Sequence, residues 1–144
     1  MIENIYDDLQ VGDKGFFEKT ITEADVTIFA GLTGDYSWLH CNEMKAQKGL
    51  FKQRIVHGML LMGLVSCVIG TRMPGAGTIY ESQNINFLRP CFFQDTIRAE
   101  TEVIEKLPKG RIKLKTTCVN QKGEVILNGE AIVIPPRKHS ADVN

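Results

Sequence analysis

Two hydrophobic rhythms divide the chain. Residues 59–69, within the run GMLLMGLVSCVIGTRM at 58–73, interrupt their apolar side chains only at Gly63 and Ser66. No polar stripe is left to face water, so the run predicts a helix buried on every side. It rises about 16 Å at about 1.5 Å per residue, well short of the roughly 30 Å of hydrocarbon that a membrane span must cross. After residue 78 the period becomes two. Ile97, Ala99, Thr101 and Val103 alternate with Arg98, Glu100 and Glu102, and Ile112, Leu114, Thr116 and Cys118 alternate with Arg111, Lys113, Lys115 and Thr117. Further runs at 78–88 and 124–134 complete four predicted strands. Leu107-Pro108-Lys109-Gly110 and Asn120-Gln121-Lys122-Gly123 predict the hairpin turns between them. Half-polar strands of this kind form antiparallel sheets with one face in water.

The N-terminal part carries smaller elements. Residues 14–21 predict a short strand. Thr22-Glu23-Ala24-Asp25 then reads as a helix cap with a carboxylate three positions on, and Val26, Phe29 and Ala30 follow at helical spacing. Gly34-Asp35 ends that helix, residues 35–41 predict loop, and Asn42 caps a short helix to Ala46. A polar connection at 48–54 leads into the apolar run, and Pro74-Gly75-Ala76-Gly77 stops it. The pattern predicts an α+β fold, an antiparallel β-sheet curled around one long central helix. It places a single domain over residues 1–134 and a frayed polar tail over 135–144.

Composition narrows the functional classes. At 144 residues, 43% hydrophobic and 24% charged, the chain has the make-up of one globular domain. Seventeen basic against seventeen acidic residues give no net charge, hence no broad pull toward nucleic acid or a membrane surface. Cys41, Cys67, Cys91 and Cys118 form no C-x-x-C pair, which argues against a zinc site or a disulfide framework. The first residues, MIENIYDDLQ, lack the basic-then-apolar pattern of a signal peptide. These features predict a cytoplasmic protein with no metal and no cofactor.

Two places carry candidate chemistry. At the start of the long helix, unsatisfied N–H groups and the positive end of the helix dipole gather near His57, Gly58 and Met59. Gly58 has no side chain to keep a ligand oxygen from the backbone, which outlines an oxyanion site. In the loop Gly34-Asp35-Tyr36-Ser37-Trp38-Leu39-His40, a carboxylate and an imidazole are close enough to meet on one small molecule and exchange protons with it. Taken alone, the pair also fits a capping Asp and a structural His.

The wider sequence decides between those readings. FAGLTGDYSWLHCNEMKA, residues 29–46, resembles the signature of the R-specific enoyl-CoA hydratases, the MaoC-like group of the hot-dog fold, with Phe29, Leu32, Thr33, Gly34, Asp35, Leu39, His40 and Ala46 at matching positions. Ile55-Val56-His57-Gly58-Met59 and Phe87-Leu88-Arg89-Pro90 resemble that family's downstream motifs, so the similarity spans residues 9–134. One departure is that Ser37-Trp38 stands where the family has Asn-Pro. The resemblance implies reversible syn addition of water to a trans-2-enoyl-CoA. Asp35 and His40 would activate the water, and the Gly58 N–H would polarise the thioester carbonyl. It also implies a homodimer. Ser66, Tyr36, Trp38, His57 and Arg89 are the candidates for contact with the acyl-CoA substrate, Arg89 through the CoA phosphates. Bulky Met59, Leu60, Met62, Leu64 and Trp38 point to a short acyl chain such as crotonyl. An acyl-CoA thioesterase or a non-catalytic acyl-CoA-binding protein of the same fold are the alternatives.

Overall fold

A computed structural model describes residues 2–137. Strand β1 (Lys14–Thr20) leads into helix α1 (Glu23–Thr33), the one-turn helices α2 (Trp38–Cys41) and α3 (Glu43–Ala46), and the long helix α4 (Gly58–Thr71). Strands β2 (Ile79–Phe87), β3 (Thr96–Leu107), β4 (Arg111–Val119) and β5 (Val125–Ile134) follow. The five strands form one antiparallel sheet in the order β1-β3-β4-β5-β2. The sheet curls around α4 in the hot-dog arrangement.

Alternation along the strands decides what faces α4. Ile97, Ala99, Thr101 and Val103 of β3 and Ile112, Leu114, Thr116 and Cys118 of β4 are all buried. They meet Leu61, Val65, Val68 and Ile69 of α4 in one core cluster, with the two threonines interleaved among the apolar side chains. Both threonines find partners: Thr101 Oγ1 donates to the Met73 carbonyl at 3.0 Å, and Thr116 Oγ1 accepts from Gln83 Nε2 at 2.9 Å. The opposite face carries ion pairs such as Lys14–Glu102 at 3.1 Å and Arg98–Glu18 at 3.2 Å, which exposure to water leaves with little net energy. Thr22 closes the expected capping box, its Oγ1 accepting the Asp25 N–H at 3.2 Å while Asp25 Oδ2 accepts the Thr22 N–H at 2.8 Å. Both hairpin turns lie where the glycines placed them, with Gly110 and Gly123 at φ 74° and 77°, a conformation that only glycine adopts without strain.

Three expectations need correction. Helix α4 is not buried all round: Met59 is 56% exposed, and Gly63 and Ser66, one and two turns further along, are exposed too. The apolar pattern had no polar face to reveal this because the open stripe is itself made of Met, Gly and Ser. The predicted loop at 35–41 contains α2, a single helical turn too short for periodicity to register. The predicted frayed tail is anchored at its start, where Pro135 is buried and the Pro136 carbonyl accepts the Tyr6 N–H at 2.8 Å; the rest of that tail, His139 included, lies outside the described residues. Among the described residues no helix is long and apolar enough to cross a membrane.

Candidate active site

The loop after α1 is shaped from its first residue. Gly34 closes α1 in the left-handed region at φ 80°, its N–H returning to the Ala30 carbonyl at 2.8 Å. That turn aims Asp35 away from the helix. The Asp35 N–H donates to Thr33 Oγ1 at 3.3 Å, and Asp35 Oδ1 accepts the Ser37 N–H at 3.2 Å, a side-chain turn that asparagine and aspartate favour. Ser37, at φ −49° and ψ 138°, then starts α2, although its hydroxyl makes no capping bond.

Helix α2 delivers His40. Its Nδ1 lies 2.8 Å from the Ile55 carbonyl oxygen. A carbonyl only accepts, so Nδ1 carries the proton and Nε2 keeps a basic lone pair. The Ile55 N–H donates in turn to the Leu39 carbonyl at 3.0 Å, which fixes both strands of the contact. Burial holds the His40 imidazole below the usual histidine value of about 6.5, and His57 pushes it the same way, against the opposing pull of the Ile55 carbonyl and Asp35.

His57 is the third member. It is 2% exposed, and its ring stacks on His40 with centroids 3.8 Å apart and planes 26° from parallel. Phe29 of α1 covers another side, with centroids 4.8 Å apart. His57 Nε2 donates to the Asp35 carbonyl at 3.0 Å and lies 3.9 Å from Asp35 Oδ2. Asp35, His40 and His57 thus bring metal-ligating atoms within 4.8 Å of one another. Lone pairs lie in the plane of an imidazole, so two stacked rings direct them side by side and not onto one ion. The arrangement suits proton transfer better than chelation.

Beside this cluster lies a cavity of about 420 Å³, lined by His40, Gly58, Met59, Leu61, Phe87 and Arg89 together with Phe51, Ile55, Val56, Leu88, Pro90, Cys91 and Ile126. The imidazole and the helix N-terminus therefore open onto the same space. His57 caps α4 without a side-chain bond, which leaves first-turn N–H groups to a ligand. Gly58 also leaves room for its neighbour: a β-carbon there would run into the Phe87 ring unless that exposed ring moved aside.

The remaining candidates divide. Arg89 stands on the cavity wall, its Nη1 3.3 Å from the Val125 carbonyl. Trp38 does not line the cavity; its indole lies over Gly49, beside Lys45 and Lys48. Tyr36 is exposed with its hydroxyl near Gly31, and Ser66 lies on the open stripe of α4, neither on the cavity wall. Leu60, Met62 and Leu64 pack into the core, so of the bulky residues thought to limit the acyl chain only Met59 borders the cavity. Sequence reasoning missed the Ile55 carbonyl, which no side chain announces, and took His57 for a substrate contact, whereas it is buried off the cavity wall against Phe29 and His40.

Residues 11–125 match the MaoC like domain family, and the chain belongs to it. It is 40% identical over 139 residues to an (R)-specific enoyl-CoA hydratase of Rhodospirillum rubrum, covering 96% of each chain. It is 41% identical over 138 residues to a 3-hydroxybutyryl-CoA dehydratase of Methylorubrum extorquens, covering 95% of this chain and 87% of the other. Among solved structures, the unliganded R-hydratase PhaJ1 from Pseudomonas aeruginosa superposes with a TM-score of 0.89 at 40% identity, over 95% of this chain and 89% of that one.

Proposed function

We propose that this protein is an R-specific enoyl-CoA hydratase, a hydro-lyase that adds water to trans-2-enoyl-CoA and, in reverse, dehydrates (R)-3-hydroxyacyl-CoA. The observation that carries this reading is the cavity that His40 and the amide end of α4 share, with a carboxylate oxygen of Asp35 within 4.8 Å of a His40 ring nitrogen beside it. Asp35 and His40 hold one water between them. As its oxygen bonds to C3 the pair accepts a proton, and a proton from the pair reaches C2 on the same face, giving syn addition. Electron density moves meanwhile onto the thioester oxygen, where the Gly58 N–H stabilises the enolate. Loss of such a donor costs on the order of 3 kcal/mol in other enzymes. Water is the only co-reactant this chemistry needs, so no cofactor takes part.

Crotonyl-CoA is the first substrate to try, since Met59 and Phe87 crowd the cavity beside Gly58. One methylene changes discrimination by only about 1–3 kcal/mol, so activity over enoyl-CoAs of graded length sets the limit. Arg89, exposed on the cavity wall, meets the CoA phosphates. The working unit is one hot-dog domain, residues 1–134, paired as a homodimer. Strand β2 leaves one edge of the sheet unpaired in the protomer with Ile79 and Phe87 exposed, and an open strand edge invites a second chain. The Met59, Gly63 and Ser66 stripe of α4 gives the pairing a second surface. Four free thiols accord with a reducing cytoplasm.

The test follows the ultraviolet absorbance of crotonyl-CoA alongside a thiol reagent. Loss of the enoyl absorbance without free thiol supports hydration. Release of free CoA would instead identify a thioesterase, and binding without either change a carrier protein.

A further inference from the structure

His57 does more than turn the chain into α4. Its Nε2 bears the proton, because only an N–H can bond the Asp35 carbonyl. Nδ1 is then an acceptor, buried and without a hydrogen-bond partner. An unpaired buried polar atom costs stability, and an apolar ring would fill the same space without that cost, so packing alone does not account for an imidazole here. The ring is gripped by Phe29 of α1 on one side and His40 of α2 on the other. Its backbone continues directly into Gly58, and its carbonyl accepts the Leu60 N–H at 3.1 Å. One side chain therefore ties three separate pieces of the site to a single helix end.

We propose that His57 is the positioning residue of this site: its hydrogen bond to the Asp35 carbonyl and its stack on His40 hold acid and base at a fixed distance from the Gly58 amide. The effect on rate rests on the hydratase reading; the effect on the His40 ring does not. The groups facing His40 are few. Burial and His57 disfavour its proton, the Ile55 carbonyl and Asp35 favour it, and α4 carries no charged residue; Phe29 of α1 packs on His57.

Two substitutions separate the roles. His57→Phe keeps a ring of similar volume but removes the donor, whereas His57→Gln returns an N–H at similar reach. With crotonyl-CoA, His57→Phe lowers kcat on the order of 100-fold, the scale of a small misplacement of catalytic groups, while KM changes little. His57→Gln recovers part of that kcat. Nitrogen-15 spectra of the imidazoles give a second readout that needs no activity: in His57→Phe, His40 keeps the Nδ1–H form that the Ile55 carbonyl holds but takes up its proton at higher pH than in the wild type. Unchanged kcat with an unchanged His40 spectrum would overturn the proposal. So would equal losses in both variants that track a drop in melting temperature, since that marks a merely structural residue. If the wild type hydrates no enoyl-CoA, the hydratase reading fails, and the His40 spectrum alone still decides the role of His57.

Discussion

The imidazoles of His40 and His57 lie face to face, 3.8 Å between centroids, yet each is hydrogen-bonded to a different backbone carbonyl: His40 Nδ1 to Ile55 and His57 Nε2 to Asp35. These bonds set both tautomers. His40, which lines the cavity, is left with an unprotonated Nε2, and His57 serves as the brace behind it.

Asp35→Asn and His40→Gln each leave the fold intact and lower kcat for crotonyl-CoA hydration by at least about 100-fold, the lower range for general acid–base groups. Circular dichroism checks the fold and the absorbance assay checks the rate. A near-normal rate in either variant would remove that residue from the mechanism.

With His40 as the member of the pair that takes the proton from water, its ring must be unprotonated, and burial lowers its proton affinity. The acidic limb of kcat/KM for hydration therefore falls below pH 6.5, the ordinary histidine value. The same shift has a stability consequence of definite sign. The unfolded chain binds this proton more readily than the folded one, so His40 contributes a loss of stability as pH drops through about 6.5 toward its lower folded value. A pH–rate profile and melting curves between pH 5 and pH 8 measure both.

Gly58→Ala drives a methyl group against the Phe87 ring at the cavity wall. The amide remains but shifts, and kcat/KM falls on the order of 10-fold or more. Gly58→Ala combined with Phe87→Ala relieves the collision, so the pair of changes costs less than the product of the two taken singly.

Trp38→Pro preserves the loop. Ser37 already sits in the backbone region required before proline, and Trp38 opens α2 at a position where proline is favoured because its N–H has no intrahelical partner. Activity stays close to that of the wild type. Trp38→Gly loses both the indole packing on Gly49 and any stiffness, and lowers kcat further. Steady-state kinetics on the two variants compare stiffness with packing.

Gly63→Arg tests the assembly. A β-carbon added at Gly63 meets no neighbouring atom within 4 Å and the position is exposed, so the fold and melting temperature survive. The arginine instead obstructs the second chain, and sedimentation shifts from dimer to monomer at micromolar concentration.

Much of this was legible in the sequence, for physical reasons. The alternation in β3 and β4 named every buried residue of those strands through Val103 and Cys118, because a pleated strand offers no other periodicity. Thr22 and Asp25, Gly34, Asn42 and the turn glycines marked their boundaries through local bonds that need no tertiary context. What escaped depends on distant parts of the chain. The exposure of Met59, Gly63 and Ser66 is decided by where the sheet stops wrapping α4. The Ile55 carbonyl that fixes His40 is a backbone atom common to all residues, and Trp38 turned to Gly49 because of a neighbour that no local pattern ties to it. Asp35, His40 and His57 could all be named from spacing and resemblance, but the stack of His57 on His40 depends on tertiary packing and could not be read.

The central claim is that Asp35 and His40 act as one unit on a single water, and a double-substitution cycle measures it most directly. Residues that work as a unit lose nearly everything with the first change. Asp35→Asn combined with His40→Gln should therefore hydrate crotonyl-CoA about as slowly as the worse single variant. If the two losses multiply instead, the residues act independently and the shared-water account is wrong.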